Sequence, residues 1–427
     1  MSQFQTRQRQ GVHIHVLPTT KFKVTNIAVS FHKPLTEQTA TTTALLPYVL
    51  MRGSEQYPSS EKLMGALDDL YGASLHGFVG KRGERQLVEF SLQVTNERFL
   101  SSSEPILERA IRLMAGVIMK PRLVEGSFDN EVVRKEKELH EKRIDSLMDD
   151  KIAYAAERCL QEMCRDERFG VPRYGRKEDL PDIDGRSLYE CYLNLLQTAP
   201  IHVFVIGQVD PDEVADLIER EFTLERGQTN APPSAEIRYK PDSIREVVER
   251  MDINQGKLNI GFRTGTTHAD DDYPAMIVYN AILGGFPHSK LFVNVREKAS
   301  LAYYASSRLE SLKGIMFIQS GIQIENFDKA VSIIKEQVDD MREGRISEQE
   351  IDWTKTGLIN QYRQLQDQSG SLMDIYTNGV ISGRMRSLDD MIQQVGSVTL
   401  DDVIALAGKV HMDTIYFLRD KEEVAHA

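Results

Sequence analysis

The sequence is short of most features that announce a function. Its 427 residues hold three cysteines, Cys159, Cys164 and Cys191. So sparse and odd a count excludes a disulfide framework and suits a reducing compartment. Cys159 and Cys164 stand five apart on a predicted helix with no further Cys or His at ligand spacing, so they read as core or helix-face thiols. No apolar run approaches the length that spans a bilayer. The opening MSQFQTRQRQ is polar and lacks the apolar segment of a signal peptide. The expectation is a soluble cytoplasmic protein with no membrane partner. Lys and Arg form no block and the net charge is −12. That excludes the basic footprint of a nucleic-acid binder and is compatible with basic peptide ligands. No phosphate loop is present either, because the turn at Gly284 and Gly285 is not followed by G-K-[ST].

What the sequence does contain is written twice. The amino half runs from a strand pattern at 27–31 (IAVSF) to a helical pattern at 42–51. Arg52-Gly53-Ser54, a second helical pattern at 60–70, Tyr71-Gly72-Ala73-Ser74 and an alternating strand at 86–94 follow. The carboxy half repeats that order with 258–262 (LNIGF), 273–283, Gly284-Gly285, 289–298, Tyr303-Tyr304-Ala305-Ser306 and 315–323. The match continues through amphipathic segments at 104–115 and 326–338 and long charged helices at 128–150 and 347–367. It ends with apolar strands at 201–207 and 414–418. Between the halves, GQTNAPPSAEIRY at 227–239 has linker composition. The predicted fold class is α+β: two similar domains from an internal duplication, each a mostly antiparallel sheet with helices packed on one face. The boundaries are set at 1–228, a linker at 229–243, and 244–427. Residues 12–16 and 23–31 read as neighbouring strands joined by a Pro-containing turn.

The segment 281–304, AILGGFPHSKLFVNVREKASLAYY, carries the most information. Its G-G-x-x-x-S-x-L-F run followed by R-E-K-x-x-L-A-Y resembles the carboxy-terminal signature of the pitrilysin family of zinc peptidases, which includes mitochondrial processing peptidases. The resemblance covers nearly the whole chain and implies duplicated α+β halves. It also implies that Arg296 and Tyr303, seven residues apart, contact substrate, and that Gly284 and Gly285 form a loop that admits it. The alternative reading of the two glycines is a helix C-cap, which needs φ > 0. Ser300 stands where the family usually has Gly.

The family's zinc motif, H-x-x-E-H, places two His ligands on one helical face with a Glu directed at the metal-bound water. Counting back from Met51-Arg52-Gly53-Ser54, its five positions here are Ala44, Leu45, Leu46, Pro47 and Tyr48. Ala ligates nothing, Pro is no base and a neutral Tyr is a poor zinc ligand. Pro47 also removes a backbone donor, which is expected to kink the helix. The third ligand of the family is a Glu in a V-V-x-x-E context, matched by Glu136. Without partners it reads as a solvated or ion-paired residue whose change to Gln alters little. Glu136 and His140 share a helical face but lack a third ligand, so a charged helical face is the expectation. His13 and His15 alternate on a strand and point the same way, a geometry that chelates but is more often structural.

No catalytic residue, metal or cofactor of its own is therefore expected. The leading reading is a non-catalytic subunit of a heterodimeric zinc peptidase. It would supply Arg296 and Tyr303 to a zinc-bearing relative, with a peptide or unfolded polypeptide as substrate. The alternative is a peptide- or protein-binding scaffold, including a self-dimer. A third is an independent hydrolase built around Glu136 and His140.

Overall fold

A computed structural model describes residues 4–101, 104–224, 226 and 229–421. In chain order the first elements are β1 (Gln5–Arg9), β2 (Val12–Pro18), β3 (Val24–Pro34), α1 (Glu37–Leu50), α2 (Ser60–Asp68), β4 (Ser74–Arg82) and β5 (Arg85–Thr95). Then come α3 (Ile106–Met119), α4 (Asn130–Ser146), α5 (Lys151–Met163), α6 (Gly185–Thr198), β6 (Ile201–Gly207) and α7 (Pro211–Glu221). The remainder is β7 (Arg245–Arg250), β8 (Gly256–Arg263), α8 (Tyr273–Asn280), β9 (Ala302–Glu310), β10 (Ile315–Ile322) and α9 (Phe327–Arg342). It closes with α10 (Glu348–Leu365), α11 (Ser369–Ser382), α12 (Leu388–Ser397), α13 (Leu400–Ala407) and β11 (His411–Arg419). None of the described helices is long and apolar enough to cross a membrane.

The chain divides into two compact units, Met1–Asp145 with Val171–Pro233 and Ser146–Gly170 with Ser234–Ala427. The sheet of the first runs β1-β2-β6-β3-β5-β4 and that of the second β7-β11-β8-β10-β9. Setting β1 aside, the two orders superpose strand for strand. The parallel pair falls at the same place in each, β2 with β6 and β7 with β11, and all other neighbours are antiparallel. The α+β class and the repeated architecture follow from this correspondence. The stretch 227–239, of which residues 227 and 228 lie outside the described residues, carries neither helix nor strand where it is described.

One pairing differs from expectation. β2 and β3 are not neighbours, because β6 lies between them, parallel to β2 and antiparallel to β3. IHVFVIG is buried at every position, as a strand with both flanks and both faces covered must be. A short connection such as 19–23 does not require its strands to pair. Strand alternation sends Ile27, Val29 and Phe31 of β3 into the helix-covered core with Leu45, Leu46 and Leu50 of α1 and Ile111, Met114 and Ile118 of α3. Pro47 does not break α1: the helix runs on to Leu50, and Met51 donates to the Pro47 carbonyl at 3.2 Å.

The segment 146–170, which periodicity keeps with the amino half, clusters with the second unit. There α5 packs against β8 and β11. It lies on the face opposite the helix-covered core of Leu258, Ile260 and Phe262. Gly261 permits the approach, since a Cβ there would stand 2.6 Å from the Met163 sulfur. Cys159 is buried at this seam, and burial pushes its thiol pKa up. One end of the segment is held by Glu249 of β7, which accepts from the Tyr154 hydroxyl at 2.5 Å and from Arg158 Nε at 3.1 Å.

The other end is held by a buried charge network. Arg263, 2 % exposed, donates through Nη2 to Glu167 Oε1 at 2.6 Å and to the Met163 carbonyl at 2.8 Å, and through Nε to Asp413 at 2.8 Å. Lys313 reaches Glu167 Oε2 at 2.6 Å. Burial raises the Glu167 carboxyl, but the hydrogen bonds from Arg263 and Lys313 outweigh it and leave its pKa below the usual carboxylate range. Removing one member of such a network strands the others without water. Arg263→Ala is expected to cost about 3–5 kcal/mol in urea unfolding, and a loss under about 1 kcal/mol would mean that packing of α5, not charge, holds the segment.

Candidate functional site

The position matching the family's metal site lies on α1 and α4 of the first unit. Ala44, Leu45, Leu46 and Pro47 are buried among core side chains, as their apolar character dictates. Tyr48 is half-buried, and burial raises its phenol pKa while the Arg143 and Arg173 guanidiniums pull the other way. On α4, Val133, Glu136 and His140 form one buried stripe at i, i+3 and i+7. Glu136 and His140 are both 0 % exposed, which corrects the expectation of a charged helical face. A carboxylate so placed needs a partner, and Glu136 has two. Arg52 approaches its Oε1 through Nε and Nη2, and Arg143 Nη2 reaches Oε2 at 3.4 Å. The Arg143 guanidinium also lies over the Tyr48 ring, 3.7 Å from its centroid. His140 uses Nε2 on the Tyr174 carbonyl at 2.8 Å, and burial lowers its pKa.

These residues do not fit zinc. The one carboxylate is already neutralised by cations. The phenol lies under a guanidinium, and His140, whose Nε2 meets the Tyr174 carbonyl, has no second histidine beside it among the described residues. Among the described residues no group of three or more His, Cys, Asp or Glu is arranged to hold a metal. The metal centre that a hydrolase around Glu136 and His140 would need is thus not built among the described residues. The i, i+4, i+7 spacing of Glu136, His140 and Arg143 on one helix was the sequence signal for this cluster, and Arg143 went unnoticed in it.

His13 and His15 belong to a second buried cluster, on the sheet face opposite the helices. Their rings stack at 6.4 Å, and His202 of β6 stacks on both, at 4.7 Å and 5.4 Å. His32 of β3 adjoins His202 at 4.5 Å. His15 Nε2 and His202 Nδ1 are hydrogen-bonded at 3.1 Å. Among the described residues no three of these histidines are arranged to hold a metal. Burial lowers all four pKa values, those of His15 and His32 to about 3, with neighbouring His and Arg side chains adding to the shift.

In the second unit the Gly-Gly and Arg-Glu-Lys segments form two widened, π-type turns, 281–285 and 292–298. Both pack against β9. Gly284 has φ −156°, so the C-cap explanation fails for it. Glycine is needed because a Cβ there would stand 2.4 Å from the Ser307 backbone nitrogen on β9. A Cβ on Gly285 meets nothing closer than 3.3 Å. Ser300 has φ +54°, the left-handed conformation that a glycine adopts at no cost. The turn for which the family resemblance implies glycine is thus formed here by serine.

Arg296 is exposed, with its guanidinium 4.7 Å from the Phe292 ring centroid. Tyr303 is 79 % exposed. It sits on the edge strand β9 where the register with β10 shifts: Tyr304 pairs with Gly321 and Ala302 with Ile322, leaving Tyr303 as the extra residue of a bulge. Bulges re-aim side chains, and this one presents a large aromatic to solvent. Neither Arg296 nor Tyr303 makes an ion pair or side-chain hydrogen bond among the described residues. Both motif segments meet on β9, while no contact joins the two side chains directly.

Comparison with known proteins agrees with this picture. The family description "Peptidase M16 inactive domain" matches residues 182–358. The chain is 38 % identical over 414 residues, 96 % of each sequence, to a Bacillus subtilis protein described as a probable inactive metalloprotease, YmfF. It resembles the crystal structure of a conserved protein from Enterococcus faecalis with a TM-score of 0.90 and 32 % identity, over 99 % of this chain and 100 % of that one. A peptidase M16 inactive domain from Pseudomonas fluorescens shares the fold, with a TM-score of 0.77 at 16 % identity, over 98 % of each chain.

Two outcomes are expected. Replacing Arg52 and Arg143 together by Ala leaves a buried, unpaired carboxylate and costs about 3–5 kcal/mol. Glu136→Gln leaves two part-exposed guanidiniums that water can reach, and costs about 1–2 kcal/mol. Equal losses in chemical denaturation would mean the pairing is not what stabilises this position. The histidines give a pH dependence. Their folded pKa values lie below the unfolded value near 6.5, so the unfolded chain binds more protons as pH falls through 6.5, and stability drops with it. Between pH 7.5 and about pH 5, above the carboxylate range, the urea midpoint falls, and replacing His15 and His202 together by Gln flattens that fall.

Proposed function

The chain belongs to the M16 peptidase family as a member without the family's zinc motif, and we propose that it is a non-catalytic subunit of a two-chain zinc peptidase. Its partner carries H-x-x-E-H, and this chain contributes Arg296 and Tyr303 as contacts to a peptide or unfolded polypeptide. Gly284 and Gly285 set the turn beside them. The observation that carries this reading is the contrast between the two halves. The metal position is refilled with guanidiniums, whereas Arg296 and Tyr303 are left exposed, without ion-pair or hydrogen-bond partners, on a bulged edge strand. Arg supplies a planar donor fork for a carbonyl or carboxylate, and the Tyr hydroxyl donates to a developing oxyanion.

The test is peptidase activity of this protein alone and mixed with an H-x-x-E-H-bearing relative from the same organism. The protein alone is expected to be silent and the mixture to cleave with added zinc. Arg296→Ala should lower turnover of the mixture roughly 10- to 100-fold and Tyr303→Phe less, with folding intact in both. Silence in both preparations supports a binding scaffold or self-dimer instead. Unchanged turnover in an active mixture carrying either variant removes the assigned contacts.

A further inference from the structure

We propose that the arginine cluster of the first unit, Arg52, Arg143 and Arg173 around Tyr48, binds a carboxylate of a peptide ligand at the position where zinc-bearing relatives hold their metal. The inference rests on the peptide-handling reading above and assigns that reading a chemical preference.

Two guanidiniums, Arg143 and Arg173, lie on the rings of Tyr48 and Tyr174, and a third, Arg52, shares the buried carboxylate of Glu136 with Arg143. Arg143 lies over the Tyr48 ring at 3.7 Å, and Arg173 lies over the Tyr174 ring at 4.7 Å. Arg143 and Arg173 are both close enough to act electrostatically on the Tyr48 phenol. Arg52 stands one helical turn beyond Tyr48 and directs Nε and Nη2 at Glu136. Its side chain is 42 % exposed, so the rest of the fork faces water. Arg173 is exposed and makes no ion pair among the described residues.

Of the neighbouring acids, Glu37 pairs with Arg176 at 2.6 Å and Asp145 pairs with Lys177, while Asp179 accepts from the Thr41 hydroxyl at 2.5 Å and keeps its charge. Arg173 and the outer edge of Arg52 thus stand as cationic donors open to solvent, within a chain whose net charge is −12. A guanidinium fork on an aromatic ring matches the planar carboxylate and takes it through paired N–H donors. The acidic remainder of the chain disfavours a polyanion such as nucleic acid.

Titration calorimetry in low-salt, phosphate-free buffer tests this. The probes are a capped hexapeptide with one central aspartate, its asparagine counterpart, the asparagine peptide with a free C-terminal carboxylate, and glutarate. The aspartate peptide is expected to bind roughly tenfold tighter than the asparagine one, with glutarate binding weakly. Arg173→Ala should abolish most of that preference, Arg173→Lys should keep part of it, and Arg186→Ala, an exposed control, should keep all of it. Glu136→Gln should strengthen carboxylate binding because it removes the internal competitor. The free-terminus peptide separates a terminal from a side-chain carboxylate. Equal binding of charged and neutral peptides with no glutarate binding overturns the anion site and leaves the peptide-handling reading standing. Glutarate binding that Arg173→Ala abolishes, without binding of any peptide, upholds the site and overturns the peptide reading. No binding of any probe overturns both.

Discussion

A carboxylate removed from water must meet a counter-charge, and much of this structure is arranged around two that were. Glu136 and Glu167 are each buried with cations on both oxygens. Desolvating a carboxylate costs several kcal/mol, so neither position tolerates being left alone. Around Glu167 the solution is architectural: Arg263 from β8 and Lys313 from the turn before β10 converge on the tail of the 146–170 segment and fix it to the second sheet. Around Glu136 it is local: two guanidiniums, Arg52 and Arg143, hold the one carboxylate. The same electrostatic demand thus produces a structural clamp in one unit and an altered site in the other.

The repeated topology shows how two halves of one ancestral pattern separated in role. The sheets agree in strand order and in the placing of the parallel pair, so backbone pairing has been kept. What differs is which side chains the loops and helices present. In the first unit the helix that would carry ligands presents Ala44, Leu45, Leu46 and Pro47 to the core, where burial of apolar surface rewards them. In the second, the turns around β9 are spaced by Gly284 and by Ser300 at positive φ. A non-glycine residue in that conformation costs of order 1 kcal/mol. The second unit holds this turn despite that cost, as though its shape still mattered.

The fold class and the repeat were legible in the sequence because periodicity reports which face of an element is buried, and both halves carried the same order of periods. Strand adjacency was not legible: nothing in residues 12–31 signals that β6, some 170 residues later, inserts between β2 and β3. The destination of 146–170 was hidden for a similar reason. Its apolar stripe says that α5 packs, not on which sheet, and the Glu167 and Arg263 partners stand 96 positions apart. At the site, charge misled. Glu136 and His140 lie in a strongly charged helix, and polar residues on such a helix read as solvated. Only the i, i+3, i+7 stripe with Val133 showed that this face turns inward.

With guanidiniums on Glu136, absent histidines are not the only difference from a zinc centre. A zinc ion concentrates its charge at a point, polarises a carbonyl and lowers the pKa of bound water toward 7. A guanidinium spreads one charge over a plane, donates hydrogen bonds only along its edge and has no vacant coordination position for water. It orients an anionic or carbonyl oxygen but generates no nucleophile. Arg143 occupies the face of Tyr48, which the family resemblance aligns with the second histidine, and Arg52 and Arg143 neutralise Glu136. Histidines restored at residues 44 and 48 would therefore meet a carboxylate already taken and a ring position already covered.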